Sequence, residues 1–433
     1  MRKNFDYPLF IATLAITLFG LVLLYSTAHR TGSNIWLRQI IWFGVGLLGM
    51  GAAIVFDYQT LGRWAKVIYG VSILLLLGVL WFGSTVRHAR SWFTLGPISF
   101  QPSEFAKLTT LLMLASYLHD KDKRINDPFS LLISLGIVGL PIFLILRQPD
   151  TGTALTFLPI LLIMLYIAGT RPLYIVCLVV IGGISFLLPL LRTLVDFRFE
   201  DPSHPIFSIL KVGKDVGYTV GVLIVLGFFT LLVYRLVKWI GVKMPHRYLW
   251  GAYATIFCGV GSSVLIDRFL AEYQRKRLLV FISPDIDPLG AGYNIIQSKI
   301  AIGSGGILGK GFLGGTQSQL GFLPERHTDF IFSVIGEEWG FVGVVILLLL
   351  YAIIVSQGIH IADGSRDIFG TLLATGITGL IGFQAIVNIG MATGIMPVVG
   401  LPLPLVSYGG SSLVMTMTSL GILLNIKLRR FLA

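Results

Sequence analysis

Charge is what this sequence has least of. Only 12% of its 433 residues are Asp, Glu, Lys or Arg, while 55% are hydrophobic, and soluble domains carry about twice that charged share. So little charge excludes an ordinary soluble domain and marks an integral membrane protein. Acidic residues are scarcer than basic ones, 21 against 33, which leaves a net charge of +12. Nothing resembles a nucleic-acid module. The basic excess is therefore read against anionic lipid, because basic residues flanking apolar spans set orientation and meet phosphate headgroups. Cysteine is nearly missing: Cys177 and Cys258 sit in apolar runs without metal or redox spacing and read as small core residues. A cleavable leader is not expected either. The apolar run after Arg2 and Lys3 is long and has no small-residue cleavage site, so it stays as a span.

What is present is a series of long apolar runs. A helix crossing ~30 Å of hydrocarbon needs about 20 such residues. Spans are expected near 8–26, 36–56, 66–83, 104–119, 129–147, 152–169, 173–191, 217–235, 248–267, 330–356, 368–390 and 406–426. That even number puts both termini on one side. Arg2, Lys3, Arg63, Lys66, Lys121, Lys123, Arg124, Arg171, Arg235, Lys238, Lys243, Arg247, Lys427, Arg429 and Arg430 fall on the same side, which the positive-inside rule makes the cytoplasm. Residues 192–247, polar and proline-bearing and then apolar and then basic, read as an inserted pair of crossings. The fold class expected is an all-α polytopic domain of about ten core helices plus that pair, with a large extracytoplasmic loop at 268–329.

The opposite side breaks the charge rule. Arg87 and Arg90 follow the third span, and Arg275, Lys276, Arg277, Lys299, Lys310 and Arg326 fill the long loop. Such residues either hold a phosphate or diphosphate or meet lipid headgroups. The loop ends in FLPERHTDF, where Glu325, Arg326, His327 and Asp329 stand together before an apolar run. Ionisable groups at a membrane boundary are costly, so a functional role is the default; for Asp329 the plain alternative is capping of the next helix.

Other outer segments carry turn signals. In 84–104, Gly96-Pro97 and Gln101-Pro102 are breaks, Ser103-Glu104 reads as a helix start, and Lys107 lies one turn on from Glu104 as a structural partner. Trp92 either lines a substrate groove or anchors at the interface. Asp150 caps the helix after Pro149. Ser407-Tyr408-Gly409-Gly410-Ser411-Ser412 opens the last span, where small residues permit close packing and free N–H groups can receive an anion.

Five motifs occur in order: QPSEFAK (101–107), QPDTGTA (148–154), DPLGAGYNIIQSKIAIGSGGILGKG (287–311), GTQSQLGFLPERHTDFIFSVIGEE (315–338) and PVVGLPLPLVSYGGSS (397–412). Together they resemble the SEDS family of cell-wall proteins over nearly the whole chain outside 192–247, and the run from GTQ to FLPERHTDF is closer to the elongation branch than to the division branch. The resemblance implies a peptidoglycan glycosyltransferase in the bacterial cytoplasmic membrane that polymerises lipid II into a glycan strand on the outer face, with a class B penicillin-binding transpeptidase as partner. It implies Asp329 as the essential aspartate, Glu104 and Lys107 as the motif pair at the start of the fourth span, and Trp92 as the loop tryptophan. The chain departs from the family at His88-Ala89-Arg90-Ser91-Trp92, where Gly-Ala-x-Arg-Trp is usual, and at Thr151, where leucine is usual.

The residues suit that reaction. Transfer from a diphosphate-lipid needs a base for the attacking hydroxyl, but no second carboxylate of the glycosidase kind, because diphosphate leaves readily. Positive charge, from side chains or a divalent cation, stabilises the departing group. The expected site is Asp329 as base, with Arg275, Arg277, Lys299, Lys310 and Arg326 toward the diphosphate. Glu325 and His327 position the loop, Trp92 lines the groove, and Ser407, where the last span opens, binds substrate. The rival readings are a flippase for a lipid-linked precursor, which would place ionisable residues mid-span on several helices, and a scaffold for the transpeptidase.

Overall fold

A long apolar segment in hydrocarbon has one economical way to satisfy its own N–H and C=O groups, the helix, and helices dominate this structure. It is a computed structural model describing residues 5–29, 32–86, 89–96, 98–121, 125–198, 216–239, 245–269, 275, 277, 280–281 and 290–430. Arg87, His88, Lys123, Arg124, Lys243, Lys276 and the polar stretch 199–215 lie outside the described residues. In order come α1 (Tyr7–His29), α2 (Ile35–Val55), α3 (Tyr58–Phe82), β1 (Ser84–Val86), β2 (Ala89–Leu95), β3 (Ile98–Phe100), α4 (Pro102–Asp120), α5 (Pro128–Leu146), α6 (Thr151–Ile167), α7 (Pro172–Arg198), α8 (Val216–Trp239) and α9 (His246–Phe269). Then follow α10 (Ala291–Ser304), α11 (Thr316–Gln319), α12 (Ile331–Glu338), α13 (Gly340–Asp363), α14 (Ile368–Thr393) and α15 (Gly410–Leu428).

Ten of the described helices are long and apolar enough to cross a membrane. The 17-residue α6 and the more polar α4 complete the dozen expected from sequence. The chain is a polytopic membrane protein. Two readings change. The stretch 84–104, expected as a loop with turn signals, holds a three-stranded antiparallel sheet in the order β1-β2-β3. The span expected at 330–356 is two helices, α12 and α13, broken at Trp339–Gly340.

The described residues form two units, Met1–Gly169 with Pro284–Ala433, and Thr170–Ser283. In the second, α7 and α9 meet through Gly259 against Ile184 and a Ser185–Ser262 hydroxyl contact at 2.5 Å. Arg192 reaches Asp267 at 3.3 Å, and α8 leans on α9 where Tyr253 donates to the Leu223 carbonyl at 3.2 Å.

In the first unit α14 and α15 are the most enclosed spans, with 67% of their apolar windows buried. Small residues let backbones approach where lipid supplies no hydrophobic drive; a Cβ on Gly421 of α15 would sit 2.6 Å from the Met50 carbonyl of α2. One end of this unit is fastened by ions and amides. Lys427 meets the buried Asp6 at 2.6 Å, Asp367 caps α14 through Gly370 N–H at 2.9 Å and accepts from Tyr58 at 3.0 Å, and Asn425 donates to the Ile54 and Phe56 carbonyls. The opposite end carries the sheet, and the candidate site is there.

Candidate active site

The GSGGILGKG motif explains how the site is held. Its glycines insert into the break between α12 and α13 and satisfy both raw helix ends. Lys310 and Gly311 N–H donate to the Glu337 and Glu338 carbonyls at 2.9 and 3.0 Å, while Phe341 and Val342 N–H donate to the Gly306 and Ile307 carbonyls at 2.9 and 3.1 Å. These are the groups every helix terminus leaves unpaired. The approach admits no side chain: a Cβ on Gly305 would lie 1.9 Å from the Gly336 carbonyl, and one on Gly309, at φ +80°, 2.2 Å from that of Glu338.

The two carboxylates at the end of α12 were not anticipated as site residues, although a Glu-Glu pair inside an apolar run was the visible signal. Glu337, fully buried, accepts from Gln317 and Ser318 N–H at 2.8 and 2.9 Å, from Thr316 at 3.1 Å and from Lys310 Nζ at 3.0 Å. Burial alone would raise its pKa; the hydrogen bonds from Gln317, Ser318 and Lys310 outweigh that and hold it below the usual value. Glu338 goes the other way. Burial pushes it up, against hydrogen bonds from Ser26, Gln319 and Leu313 N–H. Ser26 of α1 donates to it at 2.6 Å, and Gln319 bridges Ser26 and Glu338 at 2.9 Å each.

This network claims two of the expected diphosphate contacts. Lys310 is the counter-ion of Glu337. Arg326 is only 7% exposed and donates to the Ser318 carbonyl and, at 3.2 Å, to that of Thr27; burial lowers its pKa, with the charge of Glu338 opposing. Both fasten the loop from within. Arg275 is engaged too, by Asp267 at 3.1 Å in the second unit, where Arg277 also lies. Lys299 is exposed on α10, its stem lying against Gly394.

Asp329 is half-buried at the end of the loop that this network anchors. A tight turn precedes it: Glu325 adopts φ +53°, and its carbonyl accepts from Thr328 and Phe330 N–H at 3.1 and 3.3 Å. The loop 401–409 covers the other side. Ser407, expected to bind substrate, is buried; its hydroxyl donates to the Thr328 carbonyl at 2.6 Å and accepts from Leu403 N–H at 2.8 Å. It therefore ties two loops together. Tyr408 N–H donates to the His327 carbonyl at 2.8 Å, and the His327 and Tyr408 rings stand 6.1 Å apart. Asn388 of α14 donates to the Asp329 and Leu401 carbonyls at 2.9 and 2.7 Å, and Gln39 of α2 brackets the loop through the Ser407 carbonyl and Gly409 N–H.

A second polar cluster is joined to the first through Ser411, at the start of α15, which accepts from Gln101 N–H at 3.1 Å. Lys107 meets Glu104 at 2.8 Å with both side chains at most 5% exposed. Asp150 caps α6 through Thr153 N–H at 3.0 Å and accepts from the Gln101 amide at 3.1 Å. Trp92 is half-buried on β2, paired with Ser84. Its neighbour Phe93 is the side chain that lies toward Gly78 of α3, so Trp92 takes the other face of the sheet. The arrangement therefore presents Asp329, partly open, on a braced loop, which is linked through Ser411 to a cluster holding a buried ion pair and a capping aspartate.

Comparison with known proteins gives a consistent answer. The family of FtsW, RodA and SpoVE, described as cell cycle protein, matches residues 7–201 and 242–431. The peptidoglycan glycosyltransferase RodA of Treponema pallidum is 38% identical, over 99% of this chain and 98% of its own length. The peptidoglycan glycosyltransferase MrdB of Escherichia coli K12 is 35% identical over 99% and 95%. Among solved structures, a chain of a peptidoglycan synthase complex that coordinates polymerization and crosslinking superposes with a TM-score of 0.66 at 32% identity, over 99% of both chains. The rod shape determining protein RodA of Thermus thermophilus does so at 0.61 and 28%, over 99% and 98%. The chain belongs to the SEDS family, that of FtsW, RodA and SpoVE.

Proposed function

We propose that this protein is a peptidoglycan glycosyltransferase that polymerises lipid II during cell elongation, with Asp329 as the general base. Asp329 takes the proton from the 4-hydroxyl of the acceptor's GlcNAc. The oxygen attacks the MurNAc anomeric carbon, the bond to undecaprenyl diphosphate breaks, and the configuration inverts. The observation that carries the reading is that Asp329 is partly open to solvent on a loop braced from both sides, as a base that must meet a large substrate requires. The similarity to two peptidoglycan glycosyltransferases over nearly their whole length supports the reaction class.

With Arg326 and Lys310 engaged within the loop, Lys299, exposed on α10 in the same unit as Asp329, is the side chain to meet the diphosphate. A divalent cation would supply the same charge. Among the described residues no group of three His, Cys, Asp or Glu stands together to cage one, and no step above depends on it. The site faces outward, both termini are cytoplasmic, and a class B transpeptidase cross-links the product.

Purified protein given labelled lipid II, with and without that transpeptidase, tests the proposal. Glycan polymer is expected from the wild type and none from Asp329→Ala or Asp329→Asn. Polymer from either variant removes Asp329 as base. Lipid movement across liposomes without polymer makes the protein a transporter.

A further inference from the structure

We propose that Asn388 is a positioning residue for glycosyl transfer, fixing the backbone that carries Asp329; this rests on the reading of Asp329 as base. Three consecutive carbonyls, those of His327, Thr328 and Asp329, each receive a donor from the C-terminal third of the chain: Tyr408 N–H, the Ser407 hydroxyl and the Asn388 amide. The first two donors lie on a loop. Asn388 is different in kind, because it stands within α14, five residues before that helix ends, and is wholly buried.

A buried amide in a membrane helix is costly unless its donors are used. Asn388 spends its Nδ2 on the Asp329 and Leu401 carbonyls, both outside its own helix. It therefore pins both loops, the one with the carboxylate and the one that covers it, to one of the two most enclosed spans of the unit. From the other direction, the Glu325 turn fixes the amides of Thr328 and Phe330. The Asp329 backbone is thus held on both its sides.

The test uses the full-length protein in detergent with labelled lipid II. Asn388→Leu keeps the branching at Cγ and removes the donor; Asn388→Ala removes both. Each lowers kcat roughly 10–100-fold, the effect of about an ångström of misplacement, while KM stays within about twofold. Ser407→Ala does the same on the adjoining carbonyl, and Ser407→Thr, which retains the hydroxyl, recovers activity. Hydrogen exchange at 328–331 rises in the variants that lose activity. Wild-type kcat in Asn388→Leu, or a loss carried by KM alone, overturns the inference. Where the Asn388 variants fail to fold, Ser407→Ala decides, and wild-type kcat there also overturns it. Polymerisation by Asp329→Asn would instead sink the base assignment itself, whatever Asn388 does.

Discussion

Removal of the Glu337 carboxylate should release the loop that leads to Asp329. In Glu337→Ala the Gln317 and Ser318 amides and the Lys310 ammonium lose their acceptor together. Breaking a buried ion pair on one side costs about 3–5 kcal/mol, and the 27% exposure of Lys310 places this case at the low end. About 3 kcal/mol corresponds to a roughly hundredfold rise in the open population. Glu337→Gln keeps the shape and one acceptor oxygen, so about 1–2 kcal/mol and a roughly tenfold rise follow. Hydrogen exchange of the Gln317 and Ser318 amides reads both, in the order alanine above glutamine above wild type. The pH dependence has a fixed sign. The folded-state pKa lies below the ordinary one, so the contribution is whole at neutral pH and above, and is lost as pH falls below the usual carboxylate range. Exchange within twofold of wild type in Glu337→Ala would refute the claim that this carboxylate organises the loop.

Two further outcomes follow. Gly305→Ala should abolish expression or activity, because its Cβ would sit 1.9 Å from the Gly336 carbonyl, whereas Gly303→Ala, with nothing within 4 Å, should behave as wild type; thermal stability and polymerisation of the two variants check this. Lys107→Met alone should destabilise by about 3–5 kcal/mol by stranding the buried Glu104. The double variant Glu104→Gln/Lys107→Met should regain stability, and polymerisation measured on it then separates a structural pair from one the reaction uses.

The spans were legible because hydrocarbon demands long apolar helices, and every expected span overlaps a helix, that at 330–356 overlapping two. The break within 330–356 was less so. The clues were there in Glu337, Glu338 and Gly340, but the agent of the break lies at Gly305–Gly311, and sequence spacing does not show which backbone fills which gap. The sheet at 84–100 escaped because two of its strands, β1 and β3, have three residues each and carry almost no period. The partners of the basic residues were not legible, because a sequence displays a charge without its counter-group. Arg326 is held by Thr27, 299 positions away, and Lys310 by Glu337, on the far side of the motif. Ser407 likewise looked open at a helix start, yet its hydroxyl is used twice.

The interruption at Trp339–Gly340 also divides labour along the chain. The 24 residues of α13, at 1.5 Å each, reach about 36 Å, more than the ~30 Å an acyl interior requires. Its eight-residue neighbour α12 is thereby excused from crossing, and two acids can ride on it without taxing insertion. A translocating ribosome would hand the membrane an ordinary greasy segment, and only afterwards would the acidic stub find its lid.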